Sequence, residues 1–322
     1  MTNPQAMNNK LFDVLVVGEL NVDLILDKIR GFPEVGKEII AGALNITLGS
    51  SSAIFASNLS SLGCSVAFLG KIGRDHFSGL VRSSLENKNV NTDYIISSEK
   101  YSTGLTVVMN FDMDRANVTY PGAMEHLHEE EVPDDTLILC RHLHLSSIFL
   151  QTGLKDKVVD LFKRAKKLGL TTSMDPQWDP SEEWHLDLDE LLPHIDIFMP
   201  NAEEFRHLTN CDGISSGLEK IGAFANVVVI KDGVNGASLW DSGNYISRPA
   251  FINEEVADCI GAGDSFDAGF ISEFLKGAPL ERCLAVGNVM GAINTVAPGG
   301  TTAFESLEII KNIAKTRFSF AL

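Results

Sequence analysis

Short apolar runs, each closed by glycine, proline or a polar residue, recur along the chain, with stretches of helical spacing between them. The first, Asp13–Gly18 (DVLVVG), is valine-rich, too short for a helix and lacks strict alternation, which suits a strand buried on both faces. Ser65–Gly70, Thr136–Cys140, His142–Ser146, Leu170–Asp175, Ile195–Pro200 and Asn226–Lys231 have the same character. Ala53–Leu62, His76–Glu86, Leu154–Leu168 and Ala202–Leu208 carry apolar residues at helical intervals. Regular exchange of strand and helix predicts an α/β fold, a doubly wound, mostly parallel sheet with helices on both faces.

Two regions break the rhythm. Ile39–Leu48 and Thr103–Tyr120 contain alternating segments, such as Gly104–Asn110 (GLTVVMN), with no helix between them. They predict a small separate β-sheet. Because they are excursions from one core, the expected organisation is a single α/β domain over residues 11–322, with lid strands inserted at about 30–48 and 101–121. Residues 1–10 are polar and are read as a disordered N-terminus.

Composition narrows the function. Of the 322 residues, 44% are hydrophobic and 21% charged, as in an ordinary folded protein. A net charge of −17 repels nucleic-acid phosphates and anionic membrane surfaces, so the expected partners are small molecules. An anionic ligand then needs its own local site of backbone amides, helix N-terminus or metal ion. The five cysteines are scattered, odd in number and free of any Cys-x-x-Cys pair, which predicts reduced thiols and a cytoplasmic location. MTNPQAMNNK lacks an apolar signal core, and no run of about 18 apolar residues offers a membrane span. His142 with His144, and His126 with His128, have no third ligand at suitable spacing, so structural zinc is not expected.

Asp258–Phe270 (DCIGAGDSFDAGF) carries the clearest chemistry. Gly261, Ala262 and Gly263 form a small turn, and from Asp264 the pattern turns helical, with Phe266, Phe270 and Phe274 four apart. Small residues at a helix start let a phosphate approach unpaired N–H groups and the positive end of the helix dipole. Asp264 stands at the rim, where the dipole is expected to keep its carboxylate ionised and ready to take a proton from an attacking hydroxyl. A lone Gly-x-Gly-Asp also fits a plain loop with a capping aspartate.

The whole string resembles the C-terminal signature of the ribokinase-like carbohydrate kinases, Asp-Thr-x-Gly-Ala-Gly-Asp-x-Phe, and the resemblance runs from Gly18 to about Gly300 in family order. Gly18–Asp23 (GELNVD) resembles the first strand and turn, which implies that Asn21 and Asp23 hold substrate hydroxyls, unless Asp23 merely caps a turn. Gly49–Gly70 resembles the N-terminal signature, with Gly49 a backbone contact to substrate. It departs from the family at Ser50, in place of a glycine, and at Ile54, in place of a substrate-binding asparagine. Arg115, with Gly122 and Ala123, resembles the family's lid arginine beside the substrate; an exposed hairpin arginine is the plainer reading. In Asp175–Trp184, Gln177 replaces the family's asparagine and no arginine follows, so no catalytic role carries over. Asn201 and Glu204 match an Asn-x-x-Glu element implied to organise magnesium through water, and they also suit a helix cap. Lys231, Gly233 and Gly236 match the nucleotide-side loop, for which a hairpin turn is the plain alternative, and Asn288 is implied to neighbour the base or ribose.

The resemblance therefore implies an ATP-dependent phosphotransferase acting on a hydroxyl, preferentially primary, of a sugar or sugar-like substrate. Asp264 is the base, Gly261, Ala262 and Gly263 stabilise the transferring group, and ATP and Mg2+ are the cofactors. It further implies a homodimer and leaves a monovalent-cation requirement open. An adenosine-like nucleoside kinase is the alternative within the class, and a non-catalytic sugar- or nucleotide-sensing protein the alternative outside it. A dinucleotide oxidoreductase is disfavoured, because GELNVD stands where Gly-x-Gly-x-x-Gly would be required.

Overall fold

The computed structural model describes residues 10–111 and 114–322, with side chains given outside 112–115. The expected disordered terminus therefore lies, apart from Lys10, outside the described residues. Strands follow in the order β1 (Phe12–Val17), β2 (Asn21–Asp27), β3 (Ala43–Leu48), β4 (Val66–Leu69), β5 (Lys71–Gly73), β6 (Ile96–Ser98) and β7 (Gly104–Phe111). Then come β8 (Asp114–Tyr120), β9 (Cys140–Ser146), β10 (Thr171–Asp175), β11 (Ile197–Phe198), β12 (Val227–Lys231), β13 (Ala237–Asp241) and β14 (Asn244–Arg248).

The main sheet has the order β14-β13-β12-β11-β10-β9-β1-β4. All its pairings are parallel from β12 to β4, and β13 and β14 close one edge as an antiparallel hairpin. The run in β1 is apolar throughout because both faces are covered: Val14 and Val16 enter one core, Leu15 and Val17 the other. Helices Ser51–Ser61, Ala262–Leu275 and Leu280–Asn294 pack on the first face, and Val158–Lys167 and Ala202–Thr209 on the second.

A second sheet has the order β3-β2-β7-β8. Its register places Leu44, Leu24, Val107 and Val118 on one face and Asp23, Thr106 and Thr119 on the other. Asp23 thus sits within a strand rather than in the turn that the GELNVD reading assigned to it.

Three further expectations are corrected. Thr136–Cys140 is not a strand: Pro133 and the acidic pair Asp134 and Asp135 start a helix over Asp134–Leu137, and pairing begins only at Cys140. Leu154–Leu168 divides into Thr152–Lys155 and Val158–Lys167. Only Ile197–Phe198 of the run Ile195–Pro200 pairs as strand. All five cysteines are free thiols, and no helix among the described residues is long and apolar enough to cross a membrane.

The two histidines of β9 are buried in a line of hydroxyls. His142 lies 2.8 Å from Thr171 Oγ1 and 2.7 Å from Ser173 Oγ, while His144 lies 2.7 Å from Ser173 Oγ and 2.8 Å from Ser146 Oγ. Burial pushes His142 down to about 3 and His144 well below its ordinary value, so both stay neutral core groups.

Candidate active site

The parallel strands deliver their chemistry where such sheets usually bind ligands, at their carboxyl ends. Glu19 follows β1, Asp175 ends β10, Asn201 follows β11 and Lys231 ends β12. With Asp264 and the polar face of the small sheet, Glu19, Asn201 and Lys231 line a cavity of about 1290 Å3.

The helix Ala262–Leu275 aims its first turn into that cavity. Its cap, Gly261, has φ 77°, a left-handed conformation that costs little only without a Cβ. A Cβ there would stand 2.7 Å from Gly300 Cα and 3.0 Å from Ile54 Cγ2, so the loop is closed on both counts. The helix begins at Ala262, two residues before the expected start, and Asp264 occupies its first turn. Phe266 and Phe270 are buried below, each contributing about 1.5–3 kcal/mol of burial to hold the helix in place. The Ala262 amide lies 3.3 Å from the Cys259 carbonyl and is engaged there, so the amides free of helical partners by geometry are those of Gly263 and Asp264.

Ile54 lines the cavity and also supports its wall. It packs under the anion-binding loop, so close that a Cβ on Gly300 would lie 2.5 Å from its Cδ1. Asn58, on the same helix, donates from Nδ2 to Ser265 Oγ and to the Gly300 carbonyl, both at 2.9 Å. The loop is thus clamped by one apolar and one polar side chain.

Asp264 is 6% exposed. Burial, then the negative charge of Asp175, push its carboxyl up to about 7; Lys231 and the Ser51 hydroxyl pull it down. The expectation that the helix dipole keeps this group ordinarily ionised is therefore corrected: desolvation among other carboxylates outweighs the dipole. Gln177 Nε2 donates to Asp264 Oδ1 at 3.0 Å and to Asp175 Oδ2 at 2.6 Å.

Lys231 is the cation of this cluster, its Nζ 2.7 Å from Asp175 Oδ2 and 2.9 Å from Asp267 Oδ2. Burial alone would lower its pKa, but Asp175, Asp267 and Glu204 outweigh burial and raise it. Burial also raises Asp267 well above its ordinary value, against the pull of Lys231. A Cβ on Gly263 would stand 3.7 Å from Lys231 Nζ, so the ammonium lies just beneath the anion-binding turn.

Asn201 and Glu204 form a reciprocal cap. Asn201 Oδ1 accepts from the Glu204 amide at 2.9 Å, and Glu204 Oε2 accepts from the Asn201 amide at 2.8 Å. Both line the cavity, and burial, then Asp175, raise the Glu204 carboxyl. At the acceptor end, Asn21 Nδ2 donates to Asp23 Oδ1 at 3.0 Å and to Thr106 Oγ1 at 2.9 Å. Gly49 presses its backbone on that pair, since a Cβ would fall 2.2 Å from Asp23 Oδ1. Arg115 pairs with Asn110 beside the β7–β8 turn, but its side chain lies outside the described part.

At the opposite end, Gly233 and Gly236 lie in the connection between β12 and β13, which is a hairpin, and both line the cavity with Asn288. Asn288 Nδ2 donates to the Pro249 carbonyl at 3.3 Å. The facing slot, with Phe251, Ile252, Val256 and Ala292, carries no motif and escaped sequence reading. Also missed were Glu19, Asp175 and Asp267, while Gln177 was noted only as a departure from the family pattern. Asp267 stands three residues after Asp264 on the same helix face, and Asp175 ends a predicted parallel strand, so spacing and strand polarity could have found both.

An anion-receiving helix start beside a carboxylate that can accept a proton is the arrangement of a phosphoryl-transfer enzyme. The pfkB family carbohydrate kinase profile matches residues 11–307, and the chain belongs to that family. It is a phosphotransferase that acts on a sugar-type hydroxyl. The chain is similar to the ATP-dependent ribose-1-phosphate kinase of Halopiger xanaduensis, 27% identical over 294 residues (90% of this chain, 94% of that protein). It is also similar to the nucleoside kinase of Methanocaldococcus jannaschii, 25% identical over 316 residues (97% and 100%). A structure from E. coli in complex with ATP and Mg2+ shares the fold, with TM-score 0.82 and 24% identity over 95% of this chain and 99% of that one.

Proposed function

We propose that the protein transfers the γ-phosphoryl group of ATP to a hydroxyl, preferentially primary, of a sugar or sugar-like acceptor, with Asp264 as the base. The observation that carries this is the Asp264 carboxylate, raised to about 7, in the same helix turn as the free Gly263 and Asp264 amides and facing one cavity. A base titrating near neutrality takes a proton efficiently without being permanently protonated. Asn21, Asp23 and the Gly49 backbone hold the acceptor hydroxyls, joined by Arg115 from the small sheet. Gly261 and Gly263 admit the transferring group, with Ala262 shaping the turn. Lys231, Gly233, Gly236 and Asn288 border the nucleotide, its base entering the Phe251–Val256 slot.

The donors present suit Mg2+, which prefers oxygen and keeps much of its water. Asp264, Asp267, Asp175 and Glu204 surround a single lysine, leaving negative charge for a cation to neutralise. Asn201 and Glu204 would hold the ion through water, and its chemistry there is to screen the phosphate charge.

The small sheet is read as a lid, its polar face on the acceptor. Its other face leaves Leu44, Ile46, Val118 and Tyr120 exposed, which supports a homodimer formed through this sheet. A charged residue at Leu44 or Val118 should leave a monomer in sedimentation, whereas an unchanged mass would refute that assembly. A cytoplasmic location accords with the free thiols.

A nucleoside acceptor is the second reading, favoured by the half-exposed ring of Trp178 in the cavity lining, on which a base could stack. Transfer from γ-labelled ATP to a panel of sugars, sugar acids and nucleosides, with products identified by mass, separates the readings. Ligand binding without any transfer would leave a sensing protein instead of an enzyme.

A further inference from the structure

Gln177 stands where the segment Asp175–Trp184 departs from the family pattern, and it occupies a backbone conformation that glutamine seldom adopts. Its φ is 60°, in the left-handed region, directly after Asp175 and Pro176 at the carboxyl end of β10. Such a conformation persists only where surrounding interactions fix it. Here they are two charge-directed hydrogen bonds from one nitrogen. Nε2 donates to Asp175 Oδ2 at 2.6 Å and to Asp264 Oδ1 at 3.0 Å, one amide hydrogen for each carboxylate.

Asp175 Oδ2 is itself anchored by Lys231 Nζ at 2.7 Å, and Lys231 is tied to Asp267 Oδ2 at 2.9 Å. A continuous series of bonds therefore runs from the buried helix face through Lys231 and Asp175 to Gln177 and Asp264. The amide bridges two carboxylates without adding charge, which neither an acid nor a hydroxyl could do at this reach. With Oδ1 engaged, the proton-accepting role falls to the other oxygen of Asp264.

We infer that Gln177 is a positioning residue for the phosphotransfer reaction, fixing the Asp264 carboxylate so that one oxygen stays turned to the acceptor hydroxyl. The inference rests on the proposal that Asp264 is the base. The amide also favours the ionised form of Asp264. The charged groups that face Asp264 are Asp175, Lys231 and Glu19 from the strand ends, and Glu204 from the helix Ala202–Thr209; Asp267 joins them through Lys231.

The test is Gln177→Gly, which removes the amide while suiting the left-handed backbone, so that the fold is kept. Steady-state kinetics with saturating ATP and the best acceptor should show kcat lower by about 10- to 100-fold, the effect of a base displaced by about 1 Å. KM for ATP and for acceptor should stay within about 3-fold, and the acidic limb of the kcat profile should move to higher pH. Normal kcat in a folded Gln177→Gly protein overturns the inference. So does a fall in kcat matched by a rise in KM with the limb unmoved, the mark of a general structural loss. Asp264→Asn, run in parallel, separates the two claims: if it keeps turnover, the base assignment fails, and if it is inactive while Gln177→Gly is normal, only the role of Gln177 fails.

Discussion

Replacing Lys231 by methionine removes the cation from the buried carboxylate cluster while nearly conserving its volume. The side chain is 11% exposed, and its partners Asp175 and Asp267 are 0% and 1% exposed, so water cannot take the place of the lost ammonium. Breaking a buried pair on one side costs about 3–5 kcal/mol, because the remaining charge is left uncompensated. With an unfolding entropy of about 2.1 cal/mol/K per residue over 322 residues, that cost lowers Tm by about 4–7 °C. The sign with pH follows from Asp267, whose folded pKa is already raised by burial and rises further without Lys231. A carboxyl with a raised folded pKa favours the fold when protonated, so the variant should recover stability as pH falls toward about 5. Asp267→Asn in the same chain should restore part of the loss at neutral pH. Calorimetry of the single and double variants across pH provides the check. A Tm within about 1 °C of the unmodified protein, or a deficit that grows at low pH, would refute the assignment of Lys231 as the cluster's neutralising charge.

Gly261→Ala places a Cβ 2.7 Å from Gly300 Cα at φ 77°, so it should destabilise by at least about 1–2 kcal/mol and raise KM for ATP; unchanged values in both measurements contradict the closed-loop description. Ser50 has φ 72°, and its hydroxyl accepts from the Ala53 amide at 2.9 Å and donates to the Glu19 carbonyl at 2.6 Å, so Ser50→Gly sets relief of about 1–3 kcal/mol of strain against the loss of two bonds of about 1 kcal/mol each. Its Tm should stay within about 2 °C, and a drop of about 5 °C would show that the hydroxyl matters more than the backbone. The kcat/KM profile should rise with pH through about 7 as Asp264 ionises. Because its folded pKa is raised, the same group should make the protein less stable as pH climbs from about 4 through about 7, and Asp264→Asn should flatten that trend in thermal melts.

Much of the fold was legible because β1, β4 and β12 are buried on both faces and so carry continuous apolar runs, while β9 and β10 are short buried segments with helical stretches on either side. Thr136–Cys140 misled for the same reason: Leu137 is buried in a short helix, a placement that a five-residue apolar run cannot distinguish from a strand. Asp264 was found from the local pattern of its own segment, whereas Asn21, Asp23, Asn201 and Glu204 were found only from the family resemblance, and all five line one cavity. Asp175 and Gln177 come from the end of β10 and Lys231 from the end of β12, and the bond between Lys231 and Asp175 depends on sheet order, which no local pattern encodes. Ile54 was read only as a lost polar contact, and its packing against the Gly261 and Gly300 backbones adds a supporting role that the sequence did not show. The pKa of Asp264 was misjudged because a helix start is visible in sequence and the desolvation around it is not.

The measurement that bears most directly on the account is the phosphotransfer rate of Asp264→Asn with ATP and the best acceptor, alongside its affinity for ATP. An asparagine keeps the shape and cannot accept the proton, so turnover should fall by about 10²- to 10⁴-fold while ATP binding is retained. Turnover within about tenfold of the unmodified enzyme would contradict the account.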